Sequence, residues 1–369
     1  MHRLVKGDTV SAKAPSIGLV SGYLLRLVRE SIPRTQEGLA ESLGLDVGTV
    51  QGWESGRRPL PHLRTGDYLD LHRRLALLGA DPLLLAHSGA ALDADRVLAA
   101  VLDPPAETGR HPLAGWVQPR DTALLIAWAL RGTPPPALAA RASRPRRGPA
   151  RPGPLLPAAD RARFFTNLRA TAERATAGGH GGLLHRQTLY LASYDTAPDA
   201  AAWSEQALRG MRPALGRRGY GPRSIEARTV ATVAARQGDP DQLRHFISTA
   251  LLDDEHGELA NLAYWALWLG AMPADQSDDG FMHRPDPASW DPIRLFRALV
   301  SSFHLAPGTV DLYVHSISTL LRLYPWLPHA APDADQAFGA FTVQLLDGAL
   351  ISPTSRRDLG RLRYGRADG

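Results

Sequence analysis

The sequence predicts an all-α protein, and three observations support this fold class. Through most of the 369 residues, apolar side chains recur three and four positions apart, which is the spacing of one helix face. The strict alternation of apolar and polar residues that marks a half-buried strand is missing. Short segments rich in Gly, Pro and Asp separate the periodic stretches. We therefore expect an N-terminal domain of short helices and a larger C-terminal bundle of stacked helical hairpins.

The composition excludes several classes of protein. The chain has no cysteine, which excludes a disulfide scaffold, a zinc finger and a thiol nucleophile, and which suits a reducing cytoplasm. The net charge is +5. Nearly every cation is arginine, because Lys6 and Lys13 are the only lysines. An acidic partner would explain this surplus, and so would the codon bias of a high-GC genome.

The pattern along the chain predicts six segments. They are a flexible arm (1–16), a helix-turn-helix domain (17–88), a helical extension (89–131), an Arg/Pro-rich linker (132–157), an α-helical dimerisation or sensor domain (158–353) and a basic tail (354–369). Between Arg131 and Pro154 there are six arginines, seven prolines and no acid. Such a segment buries little and stays extended, so we expect a solvated hinge, with contact to DNA phosphates as the alternative.

No segment predicts a membrane anchor. The longest apolar run, residues 123–130, has eight residues, whereas a membrane-spanning helix needs about 20. The first residues also lack the hydrophobic core of a signal peptide. We expect a cytoplasmic protein.

Residues 24–61 predict three short helices joined by tight turns. The first covers residues 22–31 and the second covers 36–43, after Thr35 as N-cap and before Gly44 as terminator. Asp46 is a strong N-cap for a third helix that ends at Gly56. Two helices that cross through so short a turn expose the outer face of the second helix, a ridge that fits the major groove of DNA.

The third helix has distinct inner and outer faces. Val50 and Trp53 are three residues apart and point to the core. The outer face carries Val47, Gly48, Gln51 and Gly52.

Residues 24–61 resemble the Cro/C1 helix-turn-helix family, also called lambda-repressor-like or XRE. The matching positions are Arg29 and Glu30; Thr35, Gln36 and Glu37; Leu39 and Ala40; Leu43 and Gly44; Thr49 and Val50; Trp53 and Glu54; and Gly56, Arg57, Arg58 and Pro59. The resemblance implies that Arg29 and Glu54 form a structural ion pair. It also implies phosphate contacts from Gln36 and from the arginines that follow the third helix. The predicted DNA-binding residues are Thr35, Gln36, Val47, Gly48, Thr49, Gln51, Gly52, Arg57 and Arg58.

This sequence departs from the family at the base-reading positions. Val47, Gly48 and Gly52 have no side chain that forms hydrogen bonds. Gln51 is then the best direct reader, and Val47 is suited to contact a thymine methyl group. The glycines would allow the helix backbone to approach DNA closely. We expect DNA shape and phosphate contacts to supply much of the affinity.

The C-terminal half shows no catalytic constellation and no nucleotide-binding loop. His180 and His185 lack the partners of a metal site, and His315 is interpreted as a helix histidine. The acids of residues 253–258 precede a helix, where they favour its dipole. We expect no enzyme activity, no cofactor and no metal.

The segment 260–270 (ANLAYWALWLG) is the most aromatic part of this half. Tyr264, Trp265 and Trp268 are candidates for an effector pocket, and core packing is the alternative interpretation. This segment, with FMHRPDP, DLYVHSISTLLRL and RRDLGRLRYG, resembles the large helical C-terminal domain of many streptomycete-type actinobacterial XRE regulators. That resemblance covers residues 220–365 and implies no particular ligand.

Two functions follow from these patterns. The first is a sequence-specific transcription regulator that binds double-stranded DNA as a homodimer and responds to an unidentified small molecule or peptide. The alternative is a protein- or peptide-interaction scaffold, antitoxin-like or peptide-sensing, with an accessory DNA-binding module. The C-terminal helices stack near a 35–40-residue spacing, which is typical of tetratricopeptide-like proteins, although no consensus repeats.

Overall fold

The computed structural model describes residues 18–142, 153–175, 180–215, 221, 223–273, 275–303, 308–348 and 350–365. In this part of the chain every regular element is helical and there is no strand, so the predicted all-α class is confirmed. None of the helices described is long and apolar enough to span a membrane. The predicted arm (1–16) and residues 143–152 of the predicted linker lie outside the described residues.

The α-helices are numbered in chain order. Helices α1 to α9 span Leu19–Ser31, Gln36–Leu43, Val47–Glu54, Thr65–Leu77, Pro82–Ala86, Ser88–Leu102, Pro112–Gly115, Arg120–Arg131 and Pro136–Ala142. Helices α10 to α15 span Ala158–Arg174, His180–Ala192, Ala200–Leu215, Ser224–Arg236, Asp241–Phe246 and Glu255–Trp268. Helices α16 to α21 span Gly280–His283, Pro292–Ser302, Val310–Leu323, Leu327–Ala330, Pro332–Asp347 and Pro353–Gly365. One π-helical turn, Ile247–Leu251, continues α14.

Helix α1 crosses α3 at very short range. It buries Leu24, Leu27 and Val28, which follow the helical spacing of three and four. Where the two helices meet, α1 has Gly22, and a Cβ atom there would lie 2.3 Å from the backbone oxygen of Trp53. Only glycine permits this approach.

The first apolar core joins segments that the sequence assigns to different domains. It contains residues from Val20 in α1 to Ala192 in α11. Helix α6 packs on α1, α8 and α10, and Tyr23 meets Trp128 edge to face with ring centroids 5.1 Å apart. The predicted boundary at residues 132–157 therefore does not coincide with a boundary between apolar cores.

The described parts of the predicted linker are packed rather than extended. Helix α9 lies within it and buries Leu138, and Arg141 Nε is 2.5 Å from Asp81 Oδ2. At the other end Leu156 is buried and its N–H donates to the Ala129 carbonyl at 2.9 Å. The expectation of a solvated hinge is wrong for these residues, because buried leucines and an ion pair attach them to the core.

The second apolar core is formed mainly by α12 to α21 and reaches Leu359. Consecutive helices pack together, including α12 with α13, α17 with α18 and α20 with α21. Helix α21 occupies most of the predicted basic tail, and its Leu359 is fully buried between α18 and α20. The tetratricopeptide-like arrangement stays a prediction.

Candidate nucleic-acid interface

Local capping sets the turn between α2 and α3. The Thr35 hydroxyl accepts the Gly38 N–H at 3.0 Å and starts α2, and Gly44 ends it with a φ of +67°. Two residues later the Asp46 carboxylate accepts the Gly48 N–H at 2.7 Å and starts α3. The bounds of both helices follow from these caps.

Helix α3 is held by its inner face and is accessible on its outer face. Val50 and Trp53 are buried, and α3 packs chiefly against α1 and α2. Val47, Thr49 and Gln51 are partly exposed. Gln51 also lines an open cleft of about 1400 Å³ beside the start of α2.

A buried carboxylate ties the three helices together. The Glu54 side chain is only 4% exposed. It accepts two bonds from the Arg29 guanidinium, at 2.6 Å and 3.1 Å, and a third from Gln36 Nε2 at 2.7 Å. Arg29 also donates to the Arg34 carbonyl at 2.8 Å. The Gln36 side chain, which is predicted to contact a phosphate, therefore already donates one hydrogen bond to Glu54.

Gly52 is expected on the accessible outer face of α3, but the structure shows that it is covered. It is buried, because the stem of Arg58 lies over it, and a Cβ at Gly52 would be 3.0 Å from Arg58 Cγ and Cδ. The Arg58 guanidinium then donates to the Thr49 hydroxyl at 2.9 Å. In this conformation a charged side chain therefore occupies that part of the outer face, and the close approach of the backbone to DNA at Gly52 stays a prediction.

The charges around α2 and α3 are mixed. Arg57 and Arg58 are exposed, as is Arg34, which is not among the predicted DNA-binding residues. At the start of α2 the carboxylate of the exposed Glu37 accepts a hydrogen bond from its own backbone N–H. This bond lowers the pKa of the carboxyl, and a hydrogen bond with the Thr35 side chain lowers it further. A phosphate bound at this helix end would share the free amides with Glu37.

The predicted effector residues divide into two groups. Tyr264 and Trp268 line a cavity, and their rings stack with centroids 6.1 Å apart. Trp265 does not line it. Its indole N–H donates to the Ser316 hydroxyl at 2.9 Å inside the core, so core packing explains this residue.

The two candidate histidines whose side chains the structure describes, His185 and His315, have other surroundings than a cluster of metal ligands. His185 Nδ1 lies 3.3 Å from Glu226 Oε1, and the side chain of His180 lies outside what the structure describes. His315 is buried, and burial lowers its pKa to about 4, with a further contribution from Arg322. Within the described ranges no group of three or more His, Asp or Glu side chains is arranged to hold a metal ion.

Comparisons with known proteins find no relative of this chain. No protein-family model matches it, and neither a curated protein nor a solved structure matches it either.

Proposed function

We propose that this chain is a sequence-specific DNA-binding transcription regulator of the XRE type, with α3 in the major groove. The observation that carries the proposal is the geometry around Glu54. A buried ion pair and a glutamine fix α3 against α1 and α2, while its outer face keeps polar groups accessible. Rigid support beneath an exposed short helix is what major-groove recognition requires. This function implies a cytoplasmic, nucleoid-associated protein.

The proposed readers are Gln51 and Arg58. Gln51 is suited to a bidentate contact with adenine. Arg58 replaces the side chain that position 52 lacks, since its guanidinium lies beside Thr49 on the outer face of α3. A guanidinium in that position suits the O6 and N7 atoms of guanine or a phosphate.

We propose that the DNA-binding form is a homodimer, since one short recognition helix makes few contacts and two half-sites are the usual remedy. Two apolar side chains support a C-terminal interface. Leu323 is the last residue of α18 and Trp326 lies in the turn that follows it, and they are 40% and 47% exposed. Large exposed apolar groups that are close along the chain are candidates for an association surface.

Selection of bound sequences from a random duplex pool, followed by anisotropy titrations at several salt concentrations, tests this function. We expect one enriched motif with two half-sites about one helical turn apart. Gln51→Ala should relax discrimination at one base pair. Arg58→Ala should cost about 1–3 kcal/mol at one position if it reads guanine, or lower the salt slope by about 1 if it contacts phosphate.

The matched control is Arg284→Ala, which removes an exposed arginine from the C-terminal half and should leave affinity and salt slope unchanged. Failure to enrich any sequence would contradict the proposed function. If Arg284→Ala and Arg58→Ala lowered the DNA affinity equally, binding would depend only on non-specific attraction between the protein's charge and DNA.

A further inference from the structure

A cavity lies where the helical extension meets the C-terminal helices. Residues of α8, α11 and α15 form most of its walls, and Leu113 of α7, Gln118 and Thr229 of α13 complete them. The cavity contains about 380 Å³ of space free of protein atoms, part of it open to solvent. Its walls are mainly apolar and aromatic, including Ile126, Leu191 and Trp268, which is the usual lining of a small-molecule site.

One polar side chain in the lining has no partner. Gln118 is 5% exposed, and among the described residues neither its Nε2 nor its Oε1 makes a hydrogen bond. Exchanging the two amide atoms does not help, since both lack partners. Its backbone is firmly held, because the Gln118 N–H donates to Gln187 Oε1 at 2.7 Å. A buried amide left unpaired costs free energy and needs an explanation.

The neighbouring polar groups are already engaged. Gln187 Nε2 donates to the carbonyls of Leu113 and Trp116, at 2.8 Å and 3.1 Å. The Thr229 hydroxyl donates to the Ile225 carbonyl at 3.2 Å. These groups complete their bonds within the protein, and the Gln118 amide does not.

The charges at the cavity are paired. The Arg186 guanidinium makes two bonds to the Asp279 carboxylate. Tyr190 accepts a bond from Arg236 at 3.0 Å, and the ring of Tyr264 already faces an arginine. Arg186 is the one charged side chain among the described lining residues, and its charge is matched by Asp279, so a neutral ligand suits this lining better than a charged one.

We propose that this cavity binds a small neutral molecule with a planar apolar body and an amide or lactam group that pairs with Gln118. A primary amide or a lactam offers one donor and one acceptor side by side, which complements the two unpaired atoms of the glutamine amide. The aromatic walls cover the body of the molecule. The site is independent of the DNA-binding surface and includes neither Trp265 nor α3.

Benzamide is the test probe, and N,N-dimethylbenzamide, which has no N–H donor, is its matched control. Binding to the full chain is measured by saturation-transfer NMR and by thermal melting. We expect benzamide to bind with a Kd of about 1 mM or tighter, as suits a fragment. The dimethyl compound should bind about tenfold more weakly, the factor expected for one hydrogen bond.

Gln118→Leu should weaken benzamide binding about tenfold and should melt at the same or a higher temperature, because it removes an unpaired buried amide. Gln344→Leu, which changes an exposed glutamine of α20, should keep wild-type affinity. Ala123→Leu fills the cavity from α8 and should abolish binding; if it does not fold, Gln118→Leu decides. Equal affinity in wild type and Gln118→Leu would overturn the proposal. So would the absence of benzamide binding at about 10 mM, tenfold above the expected Kd.

Discussion

At the scale of single residues, Gly52 and Arg58 form one unit. The arginine stem covers the glycine, and its guanidinium bonds Thr49 one turn earlier in α3. The sequence shows that position 52 has no side chain and that this glycine costs the helix roughly 1 kcal/mol relative to alanine. It does not indicate that a residue six positions later occupies the space, since this depends on the path of the chain after α3.

Gly52→Ala should therefore weaken DNA binding only through Arg58. The added methyl group meets the arginine stem at 3.0 Å and displaces it, while the free energy of unfolding stays equal or rises. In the Arg58→Ala background, Gly52→Ala should cause no further loss of affinity. Anisotropy titrations of the four proteins measure this cycle.

Gly339→Ala, in α20 with no atom within 4 Å of the new Cβ, is the stability control. A Gly52→Ala loss that is undiminished without Arg58 would show instead that the backbone at position 52 itself approaches DNA.

Asp95 is a second residue whose role depends on distant contacts. Its carboxylate, in α6, accepts the backbone N–H groups of Val20 and Ser21 at 2.8 Å and 2.9 Å. It thereby caps α1 from another helix, and this explains why local capping signals do not reveal that α1 begins at Leu19. Burial raises the pKa of Asp95 to about 6, although the N–H donors act in the opposite direction.

Asp95 should give stability a pH dependence. Its pKa in the folded state lies above the ordinary aspartate value of 3.8, so the free energy of unfolding falls as pH rises from 4 to 6 and is level above that. The fall amounts to about 3 kcal/mol. Burial lowers the pKa of His111 and His315 to about 4, which gives the opposite slope in the same range.

The difference between wild type and Asp95→Asn isolates the carboxylate from these histidines. Urea unfolding at pH 4 to 7 measures the free energy of unfolding of both proteins. The difference between the two values should change steadily up to pH 6. A difference that is constant with pH would contradict the raised pKa.

At the scale of elements, the accuracy of prediction follows the range of the interactions. The bounds of α2 agree with the sequence because Thr35 and Gly44 act within a few residues. Periodicity does not reveal α11, whose first residues are His180 and two glycines that form helix poorly. In α13 even Glu226 and Arg228 are buried. The apolar residues of α13 therefore mark only part of its buried surface, and its buried polar residues could not be predicted from their spacing.

The hydrogen bonds of Glu54 should contribute strongly to the free energy of unfolding, because they connect α3 to α1 and α2. Glu54→Ala leaves the largely buried Arg29 without its carboxylate and should cost about 3–5 kcal/mol of unfolding free energy. The double variant Arg29→Met, Glu54→Leu should recover most of that loss, because it buries no unpaired charge. Chemical denaturation of the wild type, Arg29→Met, Glu54→Leu and the double variant measures the coupling, and Glu54→Ala measures the cost of the unpaired arginine. Additive losses would show that the pair does not hold the helices together.

At the scale of the whole molecule, the all-α class was predictable and the division of the core was not. Composition and periodicity report which faces are apolar, but not which distant helices they meet. Phe164 and Leu184, well beyond the predicted linker, share the core of α1. Helices α1 to α3 therefore share one apolar core with helices as far along the chain as α11.

The proposed dimer should depend on the apolar surface at the end of α18. The double variant Leu323→Glu, Trp326→Glu places two like charges in the interface and should give a monomer in sedimentation at micromolar concentration, with little change in melting temperature. Leu77→Glu, at a fully exposed position on α4, should remain dimeric. A monomeric wild type, with and without DNA, would contradict the dimer.

Site-directed DNA cleavage is the sharpest test of whether α3 enters the major groove. Because the chain has no cysteine, Val47→Cys at the start of α3 gives one attachment point for an iron chelate, and Gln206→Cys in α12 gives the matched control. If α3 enters the major groove, cleavage is centred within the selected site from position 47 and is absent from position 206. Protected DNA that is not cleaved from position 47 would contradict it.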